Sequence, residues 1–192
     1  MRNRQVFTIL MVALSFLVFR PASAGTKIEL EVQYYDIKGS SVAELLAQMH
    51  ELGPTDNNDG MKVQALTWYE INWQYNYGRR GSRCSIAEVS LSTRVVYLLP
   101  NWTNRDEADE ELKARWDTYI DRLSYHEQGH ARIAFRVAKQ IHDAIIALPP
   151  QKSCQTLGRV ANALGKRIID EDRQDEDYDQ ENGHGSRQGV TL

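Results

Sequence analysis

From Leu112 to Leu148 the apolar residues recur in steps of three and four: Leu112, Trp116, Tyr119, Leu123, then Ile133, Val137, Ile141, Ile145 and Leu148. No strand has this period. A helix of 3.6 residues per turn lays such residues along one buried stripe. Pro149-Pro150 stops the pattern. Asn104 with Glu107 offers a capping box at its start, and Asp106, Glu107, Asp109 and Glu110 load the first turns with the negative charge that a helix dipole favours. The predicted helix runs from about 104 to 148, roughly 66 Å if straight. That is longer than a domain of this size is wide, so a break or bend is expected.

The stripe has one gap, between Leu123 and Ile133, and the gap holds His126-Glu127-Gln128-Gly129-His130. Residues four apart share a helix face, so both imidazoles can reach one metal ion from the core side. Glu127, turned by about 100°, is placed to take a proton from a water on that ion. Two neutral nitrogen ligands beside such a carboxylate are what zinc-dependent hydrolysis needs. The plainer alternative is a pair of core histidines bonded to backbone or acids, which has no use for the Glu between them. Gly129 costs about 1 kcal/mol inside a helix, and its missing side chain leaves room for a neighbouring strand or a substrate.

The N-terminus reads as a secretory signal: Arg2 and Arg4, an apolar run from Val6 to Phe19, and the cleavage pattern Ala22-Ser23-Ala24. No Cys follows it to carry a lipid anchor. Residues 1–24 are thus expected to be a signal peptide and 25–192 a single zinc-metallopeptidase-like domain, with a polar tail from about 176. The domain is expected to be exported, periplasmic or extracellular, with no membrane span after signal removal. Its 20 Lys and Arg stand against 26 Asp and Glu, a net charge of −6, so nothing in its charge draws it to nucleic acid. In an exported chain the two cysteines, Cys84 and Cys154, are most economically a disulfide. It would enclose the long helix and stabilise the fold by about 3–4 kcal/mol.

The remaining pattern is α+β. Alternation predicts strands over Thr26–Ile37 and Ala65–Tyr75, and one long strand or a hairpin over Cys84–Leu99, with Pro100 and Trp102 at the exit. Ser41 and Glu44 box the start of a short helix that Gly53-Pro54 ends, and a polar turn follows over Thr55–Gly60. A last helix is predicted from Ser153 to about Asp175, and the residues after Tyr178 carry no periodic pattern. The expected fold is a small antiparallel sheet packed against the long HExxH-bearing helix and further helices, zincin-like in arrangement.

A catalytic zinc needs a third protein ligand. His142 lies about 18 Å along a continuous helix from His130, too far to share an ion. The longer HExxHxxGxxH pattern fails because Arg136 stands at its third histidine position. His50 reads as a helix-end surface residue. Glu171 and His184 remain open, the latter within Gly183-His184-Gly185.

The chain also resembles a secreted bacterial family, DUF922, described as predicted zinc-dependent proteases. The resemblance rests on Tyr34-Tyr35-Asp36-Ile37-Lys38-Gly39, Gly53-Pro54, the Trp68 and Trp73 segment, and Leu99-Pro100-Asn101-Trp102. It continues through Trp116, the HExxH, Cys154, Tyr178-Asp179, His184-Gly185 and Gln188-Gly189, with Asn182 where the family pattern usually has Thr. It implies a functional tail and selects His184 as third ligand. The expected site is then one Zn²⁺ on His126, His130 and His184, Glu127 as general base, and a peptide or protein substrate. Tyr178 is a candidate hydrogen-bond donor to the oxyanion, and Asp179 a candidate partner orienting a ligand imidazole. Two rival classes remain: a non-catalytic periplasmic zinc-binding module, which does not need Glu127, and a structural or interaction domain with an incidental HExxH.

Overall fold

The computed structural model describes residues 25–56 and 60–192. The expected signal peptide, residues 1–24, and the middle of the expected turn over 55–60 lie outside the described residues. The alternation at the start becomes β1 (Lys27–Ile37). It leads to α1 (Val42–Leu52), whose first turn is boxed as the sequence suggests. Ser41 Oγ accepts from Glu44 N at 3.3 Å, and Glu44 reaches back to Ser40 N at 2.6 Å. Two long strands follow, β2 (Leu66–Arg80) and β3 (Arg83–Trp102). They form a hairpin with a register shift between Asn76 and Tyr77.

The sheet has the order β1-β3-β2 and is mixed, not antiparallel as expected. β3 pairs antiparallel with β2 and parallel with β1. Period-two alternation shows which face a strand buries and is silent on its direction. The direction is set by the connection through α1 (residues 38–65), which carries the chain past the place β3 later fills. Pro100 lies within β3 but beyond the last β2 partner, at Leu98, where β3 has a neighbour on one side only.

The long helix is α2 (Glu110–Ile146), a single element of 37 residues, about 56 Å at 1.5 Å per residue. The expected break falls before it instead of inside it. Asn104 does not cap α2; its Oδ1 accepts from Trp102 Nε1 at 2.9 Å and Gly39 N at 3.1 Å. A 3-10 turn over Arg105–Glu107 intervenes, and Asp109 becomes the cap, accepting from Leu112 N at 2.8 Å.

The two halves of the α2 stripe serve two different cores. Leu112, Trp116, Tyr119 and Leu123 pack with Ile37, Leu45, Met49, Leu99 and Trp102. Ile133, Val137, Ile141 and Ile145 pack with Ile71, Val89 and Leu91 of the sheet and with Leu157. The gap in the stripe is thus the seam between two cores, and the histidines stand in it.

After α2 the chain returns along the sheet. Cys84 and Cys154 are joined in a disulfide, and Cys84 and Gln151 exchange two backbone hydrogen bonds of 2.9 Å. The predicted last helix is α3 (Cys154–Asp170), which ends some five residues early, and α4 (Gln174–Asn182) starts at its predicted end. α3 is tied to β2 through Asn162 Oδ1, which accepts from Trp73 Nε1 at 3.1 Å and Tyr75 Oη at 3.2 Å. The tail expected to lack structure supplies α4 and a 3-10 turn at Ser186–Gln188. Among the described residues no helix is long and apolar enough to cross a membrane.

Candidate functional site

α2 presents His126, Glu127 and His130 on its buried side, at 5 %, 4 % and 9 % exposure. α4 crosses them and presents Asp175, Tyr178 and Asp179. Asp179 Oδ1 lies 3.1 Å from His126 Nε2 and 3.2 Å from His130 Nε2. These residues form a group of possible ligand atoms lying within 4.8 Å of one another. Asp179 Oδ1 is buried and has no hydrogen-bond partner among the described residues.

Each imidazole is held by its other nitrogen. His126 Nδ1 donates to Gln188 Oε1 at 3.0 Å, and His130 Nδ1 donates to Asp175 Oδ1 at 2.8 Å. Asp175 is fixed in turn by the hydroxyl of Tyr69 on β2, which donates to Oδ2 at 2.8 Å. The outer hydrogen bonds therefore turn both Nε2 atoms toward one point.

Charge follows the geometry. Burial alone would lower the His130 imidazole, but Asp175 and Asp179 outweigh it and push it up to about 10. Burial works to raise the Asp179 carboxyl, and the two imidazoles reverse this and hold it below the usual carboxylate range. Glu127 is pushed up by burial, against the opposing pull of Thr67 and the imidazoles. Its Oε2 accepts from Thr67 Oγ1 of β2 at 2.6 Å.

Gly129 admits Tyr178, neither a strand nor a substrate. A Cβ there would stand 2.1 Å from the Tyr178 hydroxyl. The ring stacks on His126 at 5.1 Å between centroids, and its hydroxyl donates to the His126 carbonyl at 3.2 Å. Replacing an interior helical Gly by Ala ordinarily stabilises by about 1 kcal/mol. Here overpacking of about 1–3 kcal/mol opposes that gain. Gly129→Ala is therefore expected to lower the denaturant midpoint; a raised midpoint would show that the ring yields freely.

A cleft of ≈ 450 Å³ opens over His126, Glu127, His130 and Asp179, walled by Met61–Thr67 on one side and by Leu123, His184 and Val190 on the other. His184 stands at its mouth in the left-handed region, at φ 49 between Gly183 and Gly185. Its Nδ1 is 3.9 Å from Asp179 Oδ2, and it lies outside the ligand group. Asp179, expected as an orienting partner, joins His126 and His130 in the group of possible ligand atoms. Tyr178 is not among the cleft-lining residues, and its hydroxyl is engaged with the His126 carbonyl and Gln188. His142 is directed to Asp143, His50 lies in the last turn of α1, and Glu171 caps α3.

Sequence reasoning missed Asp175, Gln188, Thr67 and Tyr69. One signal was available. Asp175 and Asp179 are four apart, as His126 and His130 are, so each pair shares a face of its helix.

No curated protein and no solved structure matches the chain. Residues 32–185 match the family described as bacterial protein of unknown function, DUF922. That span takes in the sheet from Val32 onward, the histidine pair of α2 and the carboxylate pair of α4, and on it the chain belongs to the DUF922 family.

Proposed function

We propose that this protein is an exported zinc-dependent hydrolase, a peptidase in first reading, whose ion is held by His126 Nε2, His130 Nε2 and Asp179 Oδ1. The observation that carries the reading is the buried Asp179 Oδ1, without a hydrogen bond, facing two Nε2 atoms whose rings are pinned from behind. A carboxylate oxygen and two Nε2 atoms converging on one point call for positive charge between them, which a proton on His130 supplies in part and a bound cation would supply in full. Two His and one carboxylate are a donor set suited to a catalytic zinc. The Cys84–Cys154 disulfide supports an oxidising compartment, periplasmic or extracellular.

Zinc bound there supplies a Lewis acid and makes water acidic enough to lose a proton near neutrality. The rest falls to the chain. Glu127, made more basic by burial, takes the proton of the attacking water and returns it to the leaving amine. Thr67 holds that carboxylate in place. Gln188 and Asp175 keep the imidazoles turned inward, and the cleft between Met61–Thr67 and Val190 receives an extended peptide.

The test is metal content of purified protein together with cleavage of a mixed peptide library. One zinc per chain is expected. Asp179→Ala is expected to weaken zinc binding by more than the roughly 10–100-fold that losing an outer partner such as Asp175 costs. His184→Ala is expected to keep the metal. Loss of zinc in His184→Ala with retention in Asp179→Ala would reverse the ligand assignment, and wild-type protein without zinc would end the proposal.

A further inference from the structure

β1 is an edge strand that the fold leaves uncovered. Its helix-side residues Ile28, Leu30, Val32 and Tyr34 pair in register with Thr93, Val95, Tyr97 and Leu99 of β3, so all share the face on which α2 lies. α2 covers β3 and leaves a groove toward the start of β1, lined by Ile28 with Phe135, Ala138 and Lys139. The four β1 side chains are 51 %, 59 %, 48 % and 62 % exposed. Only the far end of β1 is sealed, where Ile37 enters the core formed with α1. Among the described residues no strand pairs with the outer edge of β1.

Edges are usually blunted by Pro, a bulge, shortness or charge; the charges of β1 at Lys27, Glu29 and Glu31 lie on the face away from the apolar row and are paired among themselves and with Arg94. β1 runs for 11 residues with no Pro, no Gly and no register shift against β3. The missing partner must therefore offer a strand for the open backbone groups and an apolar row for the exposed face. We propose that the partner is a second copy of this chain, with the two β1 strands antiparallel about a two-fold axis at Val32, joining the two three-stranded sheets into one.

The charge pattern of β1 admits a second copy and narrows the two-fold axis to Val32 or Gln33, of which Val32 keeps Leu30 opposite Tyr34 instead of Asp36. Pairing about Val32 sets Leu30 opposite Tyr34 and Val32 opposite itself on the apolar face. On the other face it sets Glu31 opposite Gln33, and within one strand the Gln33 amide already donates to Glu31 at 2.7 Å. Asp36, opposite Ile28, is held by Asn101 at 2.7 Å. No like charges meet. Pairing about Glu31 would set Glu31 against itself, and pairing about Leu30 would set Glu29 against Glu31 twice; like charges directly opposite are destabilising. A two-fold contact is also closed, so it ends the edge instead of propagating it. The cleft opens beside Leu66 and Thr67 at the opposite edge of the sheet, so this pairing leaves it free and is independent of the metal proposal.

Sedimentation equilibrium of the purified chain across the micromolar range tests it. Wild type is expected to be a dimer. Val32→Glu places two carboxylates face to face and is expected to weaken the dimer by roughly tenfold or more. Val32→Lys is expected to do the same, and an equimolar mixture of the two variants to regain a dimer. Val32 is half exposed, so both variants are expected to keep the wild-type circular dichroism and zinc content. A monomeric wild type overturns the proposal, whether the edge then serves a foreign strand or a lipid surface. Dimers of undiminished strength in both variants overturn it too, because the contact would then lie elsewhere.

Discussion

Glu127→Gln is expected to keep stoichiometric zinc and to lower peptide hydrolysis by about 10²–10⁴-fold, the range that a positioned proton acceptor contributes. The substitution is nearly isosteric. The Thr67 hydroxyl, which donates to Glu127 Oε2 at 2.6 Å, can donate equally to the new amide oxygen, so the side chain should stay where it is. The change is confined to basicity. Glu127 is 4 % exposed, and burial pushes its carboxyl up, the direction that suits a group asked to accept a proton and give it back. Atomic absorption on the variant, beside initial rates on the same peptides, separates the two effects. Zinc retained with wild-type turnover would mean that another group takes the proton. Zinc lost would mean that Glu127 holds the ligand geometry instead.

Converting both cysteines, Cys84→Ser with Cys154→Ser, is expected to cost about 3–4 kcal/mol of unfolding free energy by loop entropy. For a domain of this length that lowers Tm by roughly 10 °C. The bridge spans a sequence separation of 70 and encloses all of α2. It joins the start of β3 to the start of α3, beside the two backbone bonds between Cys84 and Gln151. It also anchors the segment that leads to Asp175 and Asp179, so zinc affinity should fall together with stability. Urea titrations of wild type with and without reductant, compared with the double variant, measure this. An unchanged midpoint would show that α3 is held by its contacts with β2 alone.

How much of this is legible in the sequence depends on which interactions leave a pattern. α2 was legible because nine apolar residues at helical spacing have no other use. The seam holding His126 and His130 was legible as the gap in that stripe, though not as the border between two cores. The mixed sheet was hidden, since alternation carries no direction. α4 was hidden for a different reason. Its inward face consists of Asp175, Tyr178 and Asp179, which hydrophobic periodicity does not mark, and its stability rests on polar contacts with α2 and β2. His184 drew attention as a histidine flanked by glycines. The left-handed run Gly183-His184-Gly185 also turns the chain so that Gln188 can reach His126.

The spacing of these parts along the polypeptide bears on the order in which the site is assembled. Both imidazoles precede Asp179 by some fifty residues, and Cys154 lies between the histidine pair and Asp179. Until α4 has docked, two of the three proposed metal donors stand without the third, and neither imidazole has its outer support. On the proposed ligand set, metal capture is thereby deferred to a late stage of folding, once α4 lies across α2.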